Sequence, residues 1–305
     1  MLSRVAENLY WLGRYLERAE NTARLIQVTT HLQLDLPTTV KTSWTSLLDI
    51  FAIKSLFDQY HEESDERSVL RFLLVETSNP GSICSSLRLA RENARSIRDI
   101  LPQSGWEKIN HLYQYSESEG GKGIYKKHRF DTLEHIISSI QEINGCLQGT
   151  MLHDAGYQFL CIGSSLERAD MTSRIVDVRT EKLLPTSSDH AVHYENLQWM
   201  SVLKSVSAYE NYRRASQQPI NHKTALNFLF KDKTFPRSVA FCLQNVEHCA
   251  WNLGNGQKLI TEARSVRLFV DDANCSKRNE DLHKFVDDLQ KSLTRINNRV
   301  LELFF

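Results

Sequence analysis

Residues Leu9–Val28, LYWLGRYLERAENTARLIQV, are written a second time at Leu160–Val178 as LCIGSSLERADMTSRIVDV. With Gly13 set on Gly163, an offset of 150, Leu16, Glu17, Arg18, Ala19, Thr22 and Arg24 meet their own residue types at Leu166, Glu167, Arg168, Ala169, Thr172 and Arg174, and Glu20 meets Asp170. A charged cluster kept at that distance, while most of the sequence around it drifts, restricts the chain to folds that are built twice. The order of other signals agrees. Trp44 falls opposite Trp199 at an offset of 155, and Pro80, Ser82 and Leu87 fall opposite Pro236, Ser238 and Leu243 at 156. Near the end, Leu289, Leu293, Ile296 and Asn297 stand against Ile136, Ile140, Ile143 and Asn144 at 153. Two copies are too few for an open solenoid. A duplicated unit packed about a pseudo-two-fold axis is expected instead, by analogy with isologous dimers.

Each copy reads as helical. Leu9, Leu12, Leu16, Ala19, Ala23 and Ile26 recur at steps of three and four, the period of one helix face. That helix starts at a Ser3 cap and stops before Pro37. Gly13 inside it marks a close backbone approach, since glycine in a helix interior costs about 1 kcal/mol relative to alanine. Further helices are expected over 42–57, 65–75, 82–101, 104–115, 132–147, 155–184 and 282–303, with Ser82 as an N-cap. Ser116–Gly123, SESEGGKG, reads as a flexible loop. No segment shows strand alternation, and 12 Gly with 6 Pro in 305 residues is sparse punctuation. The expected fold is therefore all-α: a helical bundle of two pseudo-two-fold-related repeats, 1–150 and 151–305, of about five helices each, forming one domain over 1–305.

Lys+Arg and Asp+Glu both number 37, so no net field draws the chain to nucleic acid or an anionic membrane. No apolar run approaches the ~20 residues that span a bilayer. The charged opening (Arg4, Glu7, Arg14) does not read as a secretory signal, and six cysteines without CxxC spacing suit a reducing cytoplasm.

At about 100° per residue, Glu17, Glu20 and Arg24 share an arc of roughly 60° away from the apolar stripe. Glu167, Asp170 and Arg174 repeat it. Three readings stand side by side. Glu20→Arg24 and Asp170→Arg174 are oriented as surface i,i+4 pairs. The cluster can be a buried ion-pair network. Or it is a functional site, in which facing carboxylates (Glu17, Glu20, Glu167, Asp170) hold Mg²⁺ or work as acid and base while arginine holds a carboxylate or phosphate. Weaker signals are His190-x-x-His193 as a metal pair, Cys242 and Cys249 as packing thiols, and Arg88, Arg91, Arg95 and Arg98 as a basic stripe. Gly120-Gly121-Lys122-Gly123 lacks phosphate-loop spacing.

The opening MLSRVAENLYWLGRYLERAENTAR, with LERADMTSR, NPGSICSSLRLARENAR and FPRSVAFCL, resembles the bacterial alpha-E domain family across essentially the whole chain. The resemblance implies an all-helical protein encoded beside, or fused to, a circularly permuted ATP-grasp protein, often with a transglutaminase-like protease nearby. That setting points to an accessory or substrate-orienting partner of a peptide or amide ligase. The alternatives are an enzyme in its own right and a purely structural scaffold. The family's charged residues map onto Glu17, Arg18, Glu20, Arg24, Glu167, Arg168, Asp170 and Arg174. One departure stands out: the second copy has Ser164 where the first has Arg14, which leaves the arginines unmatched.

Overall fold

The computed structural model describes residues 2–35, 43–181, 191–276 and 280–305, with the side chains of 179–181 and 191–195 excepted. Every regular element among them is helical. Two compact units result: Met1–Glu167 with Phe304–Phe305, and Arg168–Leu303. The division falls inside a helix, seventeen residues beyond the repeat boundary read at 150.

In the first unit, α1 (Ser3–Asp35) is the central element. Around it stand α2 (Thr45–Ile50), α3 (Lys54–Phe57), α4 (Glu66–Leu74), α5 (Ile83–Ser96), α6 (Gln103–Glu119), α7 (Lys126–Thr150) and the first part of α8 (Ala155–Glu181). α1 packs on α5 and α7, and α6 joins those two. Its apolar stripe, Leu9, Leu12, Leu16, Ala19, Ala23 and Ile26, is fully enclosed. The opposite side is enclosed as well: Tyr10, Glu17, Glu20 and Asn21 are all buried. A helix covered all round must place its polar groups against partners, because an unpaired buried charge is costly.

Gly13 and Gly163 show how closely α1 meets the first part of α8. A Cβ at Gly13 would lie 2.3 Å from the Leu160 carbonyl oxygen, and one at Gly163 would lie 2.1 Å from that of Tyr10. Each glycine faces the carbonyl of the residue three before the other. The close approach expected at Gly13 is real, and its partner is the second glycine.

The second unit comprises the rest of α8, α9 (Ala191–Ser205), α10 (Tyr209–Ser216), α11 (His222–Lys231), α12 (Val239–Asn252), α13 (Gln257–Asp271) and α14 (Glu280–Phe304) as far as Leu303. α12 packs along α13, and α11 touches both as well as α9.

Several local expectations need correction. The helix expected over 42–57 is two, because Ala52 takes φ 54° and closes α2. Its amide bonds to the Asp49 carbonyl at 2.9 Å and that of Ile53 to Leu48 at 2.9 Å, the paired bonds of a left-handed helix stop. Ser207, 155 residues on, does the same at φ 53°, with bonds to Lys204 and from Ala208 to Leu203. Such breaks and short elements place seven helices in 1–150 and seven in 151–305 among the described residues, where about five each are expected. Ser82 caps α5 as expected, accepting from the Ser85 amide at 3.1 Å, but that helix ends at Ser96. The glycine-rich stretch 116–123 is not a loop. Its first four residues complete α6, and Gly120–Ile124 is a 3₁₀ turn seated on Cys84 and Leu74.

Candidate functional site

Arg14 and Arg18 are successive turns of α1, and Glu167 lies four residues past Gly163. The glycine crossing therefore brings these three together. Arg18 grips Glu167 with two bonds, Nε to Oε1 at 2.6 Å and Nη2 to Oε2 at 3.0 Å. Arg14 Nε stands 2.7 Å from Oε2, and its Nη1 donates to the Tyr10 hydroxyl at 3.0 Å. The fork of a guanidinium matches a carboxylate in this way, and such charge-assisted pairs are among the strongest hydrogen bonds in proteins. Aromatic rings wall the group. Arg14 lies over the rings of Tyr10 and Trp11 and Arg18 over Tyr15, at 5.7–5.8 Å from the centroids.

Burial alone would push the Glu167 carboxyl up. The Arg18 and Arg14 guanidinium groups outweigh it and hold the carboxyl below its ordinary range. Burial likewise works against the charge on Arg18, and Glu167 more than restores it. Tyr10 and Tyr15 are pushed up, burial being the main cause for both. Glu167 is thus a fixed anion whose two oxygens are already engaged. It has neither a proton to give near neutrality nor an open face for a metal.

The remaining expected residues fall into separate pairs. Glu20, buried, accepts from Arg24 at 2.7 and 2.9 Å. Asp170 accepts from Arg174 at 2.8 Å in a half-exposed i,i+4 pair. Arg168 reaches the Pro236 carbonyl at 3.5 Å, while Thr172 donates to that of Arg237. Glu17 is 1% exposed. The solvated-face reading therefore fails for Glu17, Glu20 and Glu167 and suits only Asp170–Arg174. Among the described residues no group of three or more His, Cys, Asp or Glu is placed to hold a metal ion. Ser164, where the matching arginine is missing, turns back onto its own helix through the Leu160 carbonyl.

The side chains of His190 and His193 lie outside the described ones. Cys242 and Cys249 are buried packing thiols. Of the basic stripe, Arg91 bonds to Asn110 and Glu92 and lies 5.0 Å from the Tyr113 centroid, Arg95 pairs with Glu92, and Arg98 lies 5.7 Å from the Trp106 centroid. Two arginine contacts escape sequence reading. Arg14 belongs to the cluster although it has no counterpart in the second copy. Arg129, 1% exposed, ties α7 to the 3₁₀ turn through the Gly123 and Ile124 carbonyls and pairs with Glu66 at 2.7 Å. Its only signal is a basic residue one turn ahead of the Leu133 stripe.

A family model named Alpha-E, described as a predicted alpha-helical domain with a conserved ER motif, matches residues 1–305. Among curated proteins, the chain is similar to uncharacterized proteins of Mycobacterium bovis and of two strains of Mycobacterium tuberculosis. Each is 23% identical over 265 residues, which is 80% of this chain and 29% of the relative. The chain thus spans less than a third of the length of those relatives. No solved structure matches it.

Proposed function

The chain belongs to the Alpha-E family, and on that premise we propose that it is an accessory, substrate-orienting partner of an ATP-grasp-type peptide or amide ligase. On this reading the family's ER motif is Glu17-Arg18 with its copy Glu167-Arg168. The partner is a circularly permuted ATP-grasp protein, with a transglutaminase-like protease in the same system, and the place of work is the cytoplasm. No helix among the described residues is long and apolar enough to cross a membrane.

One observation carries the choice of accessory over enzyme: Glu167 is saturated by its own arginines and held ionised. A general acid or base needs a carboxyl whose pKa lies near the working pH, and a Mg²⁺ ligand needs free oxygens. Glu167 offers neither. The relatives add support, because in them the matched region is one part of a far longer chain, as suits a module that works beside others. Co-expression with a circularly permuted ATP-grasp protein of the same host tests the reading. A stable complex, with ligation faster than by the ATP-grasp protein alone, is the expected outcome. Amide chemistry by the isolated chain, abolished by Glu167→Gln, would overturn it.

Burial of Glu17, Glu20 and Glu167 also favours a purely structural role. Arg18→Lys separates the two, since it keeps the charge and loses the fork. Loss of partner binding with an unchanged melt supports docking; a lower melt with binding intact supports the scaffold.

We also infer an internal duplication. The recurring helix stops at Ala52 and Ser207 support it, as do the matching caps. Ser82 and Ser238 accept from the amides of Ser85 and Phe241, and Asp65 and Asn221 from those of Ser68 and Thr224.

A further inference from the structure

The left-handed helix stops at Ala52 and Ser207 are followed by two stretches of opposite charge. In the first unit, 54–67 carries Asp58, Glu62, Glu63, Asp65 and Glu66 against Lys54 and Arg67, a net charge of −3. In the second unit, 209–223 carries Arg213, Arg214 and Lys223 against Glu210, a net charge of +2, and Lys204 stands five residues earlier. The residues not described would not level this contrast. In 36–42 the single charge is Lys41, in 182–190 Lys182 and Asp189 cancel, and 277–279 brings two more cations, Lys277 and Arg278.

The acidic turn between α3 and α4 is held in place at several points. His61 packs on the rings of Phe57 and Phe72, at 4.6 and 5.7 Å, and its Nε2 stands 2.9 Å from Glu76 Oε2. The Ser68 hydroxyl donates to the Glu63 carbonyl at 2.8 Å. Two of the five carboxylates are engaged locally: Asp65 caps α4, and Glu66 pairs with Arg129. Asp58, Glu62 and Glu63 are exposed, and none of them forms an ion pair among the described residues. Arg67 turns instead to the ring of Tyr125, 5.8 Å from its centroid.

The cations of the second unit are gathered just as closely. Lys204 Nζ and Arg213 Cζ both lie over the Tyr209 ring, 5.6 and 5.9 Å from its centroid. The Tyr212 hydroxyl, 2.6 Å from Thr224 Oγ1, ties the first turn of α11, with Lys223, to α10. Lys204, Arg213, Arg214 and Lys223 are exposed, and among the described residues none pairs with Glu210 or any other carboxylate.

Like charges held together without counter-charges repel, and a surface of opposite sign relieves the repulsion. We propose that the acidic turn of one copy docks on the basic face of a second copy of this chain. A partner of one sign would satisfy one patch, whereas a second copy complements both. The contact joins unlike surfaces and is heterologous. This inference is independent of the ligase reading, because its residues take no part in the Arg14/Arg18/Glu167 cluster.

The test is sedimentation velocity of the full chain over a range of concentrations. Association is expected at about 50 mM NaCl and its loss at about 500 mM, where the Debye length is only a few ångströms. Asp58→Asn/Glu62→Gln/Glu63→Gln should weaken association roughly threefold to a hundredfold, the range of three exposed ion pairs, and Arg213→Gln/Arg214→Gln should weaken it somewhat less. These side chains are on the surface, so wild-type melts will accompany the changes. Charge reversal gives the sharper result. Asp58→Lys/Glu62→Lys/Glu63→Lys and Arg213→Glu/Arg214→Glu should each be monomeric alone and associate when mixed, since each then offers what the other lacks. A wild-type chain that stays monomeric at low salt, association indifferent to salt or to the neutral variants, or reversed variants that ignore each other would each overturn the proposal.

Discussion

Replacing Glu167 by Gln removes the anion on which two guanidinium groups in the first unit converge. Breaking a buried ion pair by deleting one partner costs about 3–5 kcal/mol. Here the side chains are unequal in cover. Glu167 is 3% exposed, Arg14 13% and Arg18 27%, so water can screen part of the loss on the arginine side. The amide oxygen of glutamine also retains one acceptor. A cost of about 2–3 kcal/mol follows at pH 7, measured by urea unfolding with helical circular dichroism. The control is the same chemistry with less burial. Asp170 and Arg174 are 20% and 28% exposed, and Asp170→Asn should cost only about 0.3–0.5 kcal/mol. The pH dependence has a definite sign. The folded carboxyl of Glu167 titrates below its unfolded value near 4.3, so its stabilisation is complete above that pH and fades as pH falls through the folded value. The gap between wild type and Glu167→Gln should therefore narrow below about pH 4. A Glu167→Gln protein within 0.5 kcal/mol of wild type, about the cost of an exposed pair, would refute the reasoning. So would an Asp170→Asn cost of equal size.

Gly163→Ala should destabilise by about 3 kcal/mol or more in the same assay, because its Cβ would sit 2.1 Å from a backbone oxygen that cannot rotate away. Gly145→Ala, in α7 with nothing within 4 Å, should stabilise by about 0.5–1 kcal/mol. Ala52→Gly should add a few tenths to about 1 kcal/mol, since glycine takes the left-handed conformation without a Cβ penalty. Native labelling with a thiol reagent at pH 8 should modify Cys146 and Cys161 first. Cys84, whose thiol burial pushes up to about 11, should react only on unfolding.

Helix type, caps and the α1 apolar stripe are legible from sequence because each is a local property of a few neighbouring residues. What covers the other face of α1 is not local. Glu17 and Glu20 look solvent-facing by angle, and nothing within one helix reveals that a carboxylate about 150 positions away closes over Arg14 and Arg18. Arg14 itself looks unmatched when compared with Ser164, yet its partner is Glu167, which the repeat aligns with Glu17. Symmetry of sequence does not state who pairs with whom. The break at Ala52 is silent for a different reason: alanine is a strong helix former, and the backbone bonds of the Ala52 and Ile53 amides that close the helix leave no mark in residue type. The 116–123 stretch misleads through composition. Gly120 and Gly123 serve contact with Cys84 and Leu74 and not freedom of the chain.

The glycine crossing also acts as a mechanical detent. One residue of helix advance is about 1.5 Å, and a register shift of one residue between α1 and the first part of α8 would set the side chain of Leu12, Arg14, Ile162 or Ser164 where a carbonyl tolerates none. The notch thereby indexes the two helices to a single position along their length. The groups one turn further along inherit that index, so the bite of Arg18 on Glu167 is set by two residues that carry no side-chain functional group of their own. Any gradual exchange of the charged residues in this region has to take place on a rail whose stops cannot move.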